Sequence, residues 1–371
     1  KDLILHFLPI ALGATQSLAR LSELKFAMGT SIFIASFIFG LFLIGIIYLL
    51  QYYVLGFDLL TGLLIGLGGI ALFILLQYLL GPAIVAATAR LHYLKPGENQ
   101  WLETTVRDLA EKSGVPMPKV ATVPNNTPNA FVFGRSTNNA TLAVHDGLLR
   151  SLNQDEIRGV IAHELGHVKH RDFIVMTVLS ALPLIAYLIA QFAFRAGVVS
   201  SYSRGRNKEG NAGILLVAVG VVSFIVYIIT FLAVMRLSRL REHYADAYSA
   251  YLTGSPRSLE SGLAKITYGL SISPKAPEGA RAFYIGDPAQ AKREISEIVE
   301  KKSEYDLDKD GVLDERELEL AMEKESKSTW VTMNSLFATH PPTFKRILLL
   351  REIEEEMDTG RYTADRVYAH I

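Results

Sequence analysis

Cysteine is missing from the 371 residues. That removes disulfides, thiolate metal ligands, cysteine nucleophiles and thiol lipidation together, and it fits a reducing compartment. Charge is scarce too, at 20% of residues, and it cancels, with 37 lysines and arginines against 37 aspartates and glutamates. A chain without a basic surplus has no electrostatic footprint for nucleic acid. What is plentiful is apolar: 50% of the residues are hydrophobic, more than an ordinary soluble protein of this length carries. The length leaves room for a membrane part beside a soluble one.

Four stretches run without a charged residue: 26–57, 59–89, 173–194 and 210–235. A membrane span needs roughly 20 apolar residues, so each is long enough to cross. Pro183 and several glycines in the last two are tolerated in spans, and a partly buried or re-entrant element is the alternative there. The first two stretches meet around 56–58 and predict a tight hairpin. No cleavable signal pattern precedes them. Residues 1–30 read as a partly amphipathic lead-in helix, interrupted near Pro9 and Gly13.

An even number of spans places 1–25, 92–172 and 236–371 on one side. Near the span ends that side carries Arg20, Lys25, Arg90, Lys95, Lys169, Arg171, Arg236, Arg239 and Arg241. The opposite side has only Arg195, Arg204, Arg206 and Lys208, in a Gly-, Ser- and Arg-rich connector at 195–211. The positive-inside rule then puts the soluble segments in the cytoplasm of a multi-pass protein of the cell membrane.

In the soluble part, 98–113 reads as a helix stopped by Gly114 and Pro116. Short β-prone runs at 119–123, 130–133 and 141–144 predict a small sheet. Ser151, Asn153, Asp155 and Glu156 open another helix. Further helices are expected over 236–252 and from Ser255–Pro256 to Gly269.

The second of these helices carries Val160-Ile-Ala-His-Glu-Leu-Gly-His-Val-Lys-His-Arg171. His163 and His167 stand at i and i+4, so both imidazoles leave one helix face and can share one ion. Glu164 is placed to take a proton from a water the metal activates. Zinc of this kind needs a third protein ligand and an open position. No histidine follows six residues after His167, where Phe173 stands, and His170 lies on a neighbouring face. Glu242, in Arg-Leu-Arg-Glu-His-Tyr-Ala-Asp, is the preferred third ligand, with His243 as the alternative. Asp246, one turn on, can accept the free N–H of a ligand histidine. If both helices extend the spans beside them, the two ligand sets stand at the same height, roughly 10 Å above the membrane core.

These stretches, with Thr127-Pro-Asn-Ala-Phe-Val-Phe-Gly-Arg135 and Leu336-Phe-Ala-Thr-His-Pro-Pro-Thr-Phe-Lys-Arg-Ile347, resemble the heat-shock HtpX proteases. Those are membrane zinc proteases related to the CaaX prenyl endopeptidases. The resemblance covers most of 99–265 and then 336–350. It implies His163, His167 and Glu242 as zinc ligands, and a sheet edge formed by Asn129-Ala-Phe where an extended substrate adds as a strand. Asn129 helps hold that edge or the metal shell, or serves as a turn residue after Pro128. His340 and Arg346 stabilise the oxyanion or buttress the site, with capping ahead of Pro341–Pro342 as the other reading.

The departure lies at 271–330. Asp306-Leu-Asp-Lys-Asp-Gly-Val-Leu-Asp-Glu-Arg-Glu317 fits a calcium-loop template: Asp306, Asp308 and Asp310, the Val312 carbonyl, Asp314 and a closing Glu317, with Gly311 at the turn. Helices over 295–305 and 315–324 would flank it, and an acidic turn is the plain alternative. The expected fold is therefore mainly α: a four-helix transmembrane part, a zincin-like α+β metalloprotease domain with a small sheet, and an EF-hand-like helix-loop-helix insertion. The division runs 1–90 lead-in and hairpin, 91–172 first protease part, 173–235 third and fourth spans, and 236–371 second protease part with the insertion at 295–324. The expected activity is zinc-dependent endoproteolysis of misfolded or damaged membrane proteins. Its partners are protein substrates and the lipid bilayer, and no oligomeric state is specified. A prenyl-protein endopeptidase would want more spans for its chamber. A catalytically idle membrane scaffold or calcium sensor would not need a complete set of ligands and base.

Overall fold

The computed structural model describes residues 21–50, 58–202, 210–272, 284–286, 288–307, 309, 321, 324 and 336–360. The lead-in at 1–20, the hairpin turn at 51–57, and Asp308, Asp310, Val312, Asp314 and Glu317 of the calcium-like loop lie outside the described residues. The helices are α1 (Leu21–Leu50), α2 (Leu59–Ala89), α3 (Gln100–Ser113), α4 (Asp146–Ser151), α5 (Gln154–His170), α6 (Asp172–Tyr202), α7 (Gly210–Thr253), α8 (Pro256–Ile272), α9 (Pro288–Glu300), α10 (Lys302–Tyr305) and α11 (Thr343–Asp358). The strands are β1 (His92–Tyr93), β2 (Lys119–Val123), β3 (Ala130–Gly134) and β4 (Ala140–His145).

The chain divides into two compact units. One takes Gly29–Ala89 and Asp172–Ser238. It contains α1, α2, α6 and the apolar part of α7, all long and apolar enough to cross a membrane. Small residues set the helix approaches. A Cβ on Gly197 would come within 2.8 Å of Val217, and one on Gly220 within 2.9 Å of Phe194. Glycine at such crossings lets helix backbones close up where lipid provides no hydrophobic drive. Sequence placed a connector at 195–211, but α6 runs on to Tyr202. One arginine among Ala196, Val198 and Val199 does not end a helix.

The other unit, which takes 90–171 and 239–371, carries the sheet and one continuous core. The sheet order is β1-β2-β4-β3, with β2 and β4 parallel and the two outer pairs antiparallel. β3 is thus an edge strand. The helices follow their local signals. Asn99 caps α3 by accepting from the Leu102 N–H, and Gly114 ends it in the left-handed region at φ 65°. Asn153 and Glu156 form a reciprocal capping box that starts α5. The apolar face of α5, Ile157, Val160, Ile161, Leu165 and Val168, is wholly buried. It is covered by α3 and α8, so the motif helix is central to the unit.

The span at 210–235 and the helix at 236–252 are one element, α7, as the extension of the fourth span requires, since Arg236, Arg239 and Arg241 do not break a helix that has no glycine or proline there. Conversely, α5 does not extend the third span. Arg171 takes φ 58° and caps α5 before α6 begins at Asp172. The shared-height argument for the two ligand sets therefore fails on the α5 side. In the insertion, helix forms earlier than the expected 295–305, at Pro288–Glu300, with only a short α10 ahead of Asp306.

Candidate metal centre

Three donors converge between α5 and the end of α7. Each of His163, His167 and Glu242 offers one ligand atom, and these atoms lie within 4.8 Å of one another. His163 Nε2 is 3.2 Å from His167 Nε2 and 3.6 Å from Glu242 Oε2, while His167 Nε2 is 3.4 Å from Glu242 Oε1. Donors on a tetrahedron around zinc, at roughly 2.0–2.1 Å from the ion, stand about 3.3 Å apart. The three edges, 3.2, 3.4 and 3.6 Å, lie close to that spacing. Glu242 Oε2 is buried without a hydrogen-bond partner among the described residues. The Arg346 guanidinium 3.3 Å away balances part of its charge, and the three donors at near-tetrahedral spacing fit a divalent ion. His243 is not in the group, and its Nδ1 is buried without a hydrogen-bond partner among the described residues. His170 packs edge-on against Tyr244 and Tyr248 instead, with ring centroids 5.7 and 5.5 Å away.

The helices must approach closely for this convergence. A Cβ on Gly166, between the two histidines, would stand 3.2 Å from the Ala245 Cα and 3.3 Å from the Tyr248 ring. Glycine inside a helix costs about 1 kcal/mol relative to alanine, and here it admits the partner helix. Ser249 Oγ donates to the Gly159 carbonyl at 2.7 Å and pins the same pair further along.

Around the donors lies a ring of buried polar groups. His163 Nδ1 faces Asp246 Oδ1 at 2.9 Å. Asp246 accepts a bidentate pair from Arg346, Nε at 2.8 Å and Nη2 at 2.6 Å. Arg346 Nη1 donates to the Ile285 carbonyl at 2.5 Å and stands 3.3 Å from Glu242 Oε2. His340 Nε2 lies 3.8 Å from Glu242 Oε1, its Nδ1 2.8 Å from the Thr339 hydroxyl. Arg239 holds that loop by donating to the Leu336 and Ala338 carbonyls. Burial drives His163 and His167 toward the neutral form, but the neighbouring carboxylates outweigh it and raise both pKa values. Burial raises the pKa of Glu164, against the pull of the two imidazoles. Arg346 lies above its ordinary value, because Asp246 and Glu242 overcome the effect of burial.

Asn129 is not among the donors. Its Oδ1 accepts the Ile285 N–H at 2.9 Å, so it secures the segment whose carbonyl receives Arg346. Sequence reasoning had no signal for Ile285, since it acts through its backbone. Gly166 did carry one, as a glycine inside a helix.

A His-Glu-x-x-His helix meeting a glutamate from a second helix, on a chain with four apolar helices, defines a multi-pass membrane metallopeptidase. Residues 96–354 match peptidase family M48, and the chain belongs to that family. It is 37% identical to a protease HtpX homolog of Aeropyrum pernix, over 75% of this chain and 82% of that one. It is 32% identical to the homolog of Thermococcus sibiricus, over 89% and 99%. Among solved structures, Ste24p of S. mikatae is similar at 17% identity and TM-score 0.44, covering 89% of this chain and 66% of that one.

Proposed function

We infer that the protein is a zinc-dependent endopeptidase acting on misfolded or damaged membrane proteins. His163, His167 and Glu242 are its metal ligands and Glu164 its general base. The observation that carries this is the near-tetrahedral spacing of the three donors, with Glu164 in the same helical turn as His163. The ion supplies, when bound, Lewis acidity toward water and the scissile carbonyl. Glu164 takes the proton of the attacking water on its carboxylate and passes it to the leaving amine. Burial raises its proton affinity, which suits that task. Asp246 accepts the His163 Nδ1–H, leaving Nε2 with its lone pair toward the ion. Arg346 commits its N–H groups to Asp246 and Ile285, so it braces the site. His340 is the donor for the developing oxyanion. Substrate adds as a strand along β3.

The protease domain is assembled from 91–172 and 236–371 and faces the cytoplasm, on the basic bias of those segments near the apolar stretches. A reporter fused after Ile371 that works only on the outer face overturns that orientation. The loop from Asp306 to Glu317 binds calcium, on its template of oxygen ligands. Calorimetry showing no heat at millimolar calcium reduces it to an acidic turn.

The central test uses purified protein on casein and on an unfolded membrane protein, with zinc and with chelator. Cleavage should depend on zinc, and Glu164→Gln should keep the metal and lose nearly all turnover. Turnover by a metal-loaded Glu164→Gln protein refutes the base. Cleavage of a prenylated peptide alone transfers the activity to the prenyl-endopeptidase class.

A further inference from the structure

Arg346 reaches Asp246 from α11, and α11 begins after a residue that cannot cap it. Pro342 provides no side-chain cap. The N–H of Thr343, the first helical residue, instead meets both oxygens of Glu294 on α9, at 3.3 and 3.2 Å. Glu294 is buried, and Gln290 donates to its Oε1 at 2.8 Å. On the other side, the hydroxyl of Thr343 shares a 2.9 Å hydrogen bond with Thr267 of α8. A carboxylate at a helix N-terminus meets both the orphan N–H groups and the favourable end of the dipole. Arg346 stands one turn further along, so the place where α11 starts determines where the guanidinium ends.

The stretch that supplies Glu294 also holds the far end of Arg346. Ile285 accepts from Nη1 through its carbonyl, and its own N–H is held by Asn129. Ile285 and Glu294 thus grip Arg346 twice, at its guanidinium and at the origin of its helix.

We propose that Glu294 is a positioning residue for peptide hydrolysis: it anchors the start of α11 so that Arg346 stays bidentate on Asp246 and Asp246 stays on His163. This rests on the metal-ligand role given to His163 above. Glu294 acts through Arg346. A displacement of about 1 Å in a supporting element is enough to cost on the order of 100-fold in rate, and a bidentate pair at 2.6–2.8 Å has little slack.

The test measures kcat, KM, zinc content and melting temperature of the full-length zinc-loaded protein. Glu294→Ala should lower kcat roughly 10–100-fold with KM and zinc content near wild type. Glu294→Gln, which keeps an acceptor for the Thr343 N–H, should recover most of that loss. In an Arg346→Lys background, Glu294→Ala should change kcat by less than about twofold, because the route to the site is already cut. Wild-type kcat in Glu294→Ala overturns the proposal, and so does the same fold loss in both backgrounds. A lower melting temperature with unchanged kcat per bound zinc makes Glu294 merely structural and also overturns it. If Glu294→Ala does not fold, Thr267→Val removes the other anchor of Thr343. A smaller kcat loss that disappears in the Arg346→Lys background supports the proposal, and an additive loss or none overturns it. Chelator-resistant cleavage by the wild type, whatever the Glu294 variants do, removes instead the metallopeptidase assignment beneath it.

Discussion

Replacing Asp246 by alanine separates what the buried ring does for the metal from what it does for the fold. The carboxylate is fully buried, faces His163 Nδ1 at 2.9 Å and accepts two N–H groups from Arg346. Loss of the acceptor for His163 frees the imidazole tautomer and orientation, which at an outer ligand shell costs roughly 10–100-fold in metal affinity. That is about 1.4–2.8 kcal/mol. Stability suffers through another route. The Arg346 guanidinium, only 2% exposed, keeps its charge and loses its bidentate partner. Breaking a buried pair from one side costs about 3–5 kcal/mol, a large part of the roughly 5–15 kcal/mol that holds a domain together. The double variant Asp246→Ala with Arg346→Met removes both charges. It should regain much of the stability while zinc affinity stays low, since His163 still lacks its acceptor. The assay pairs chelator competition for zinc with denaturant unfolding of the metal-free protein. Wild-type zinc affinity in Asp246→Ala refutes the reasoning. So does a double variant that recovers affinity along with stability, because the carboxylate would then be acting through the fold alone.

Glu242→Ala should lower zinc content sharply while His243→Ala leaves it near wild type, measured by metal analysis after dialysis; the reverse pattern makes the neighbouring histidine the ligand. Acid should weaken the start of α5 through Glu156, whose carboxylate accepts from Ser261 at 2.6 Å, Lys265 and the Asn153 N–H. Burial raises its pKa, but these partners outweigh it and leave it below the ordinary 4.5. Its contribution is therefore complete above about pH 5 and disappears as pH falls through the lowered folded value. Lys265 is half exposed, so the effect is about 1–2 kcal/mol. Unfolding curves of Glu156→Gln should lie below wild type at pH 7 and converge with it in acid, and a constant gap across that range contradicts the assignment.

The four apolar helices were legible because lipid demands length and apolarity and little else. The motif helix was legible because two histidines four residues apart leave one helix face and can share one ion. Boundaries were less so. The helix at 236–252 does extend the fourth span, as α7 continues to Thr253, since arginine is a good helix former and only the environment of the helix changes there. The break that does occur, at Arg171, needed a non-glycine residue in the left-handed region at φ 58°. Nothing in a single chain distinguishes that arginine from the helical ones beside it.

The buried ring shows where motif reading stops. Arg346 meets Asp246 across 100 positions and Ile285 across 61, and Asn129 meets Ile285 across 156. The resemblance places Arg346 at the site, as an oxyanion donor or a buttress, but does not give its partners. Here it is among the largest fully buried side chains, and burying a guanidinium is tolerable only when each N–H finds an acceptor. That condition ties the residue to several partners at once: a carboxylate one turn beyond Glu242, and a main-chain carbonyl secured by an asparagine at the sheet edge. The local motifs point to the three donors proposed to hold the ion. Their rigidity comes from this long-range network, whose members are chosen by what a buried charge requires.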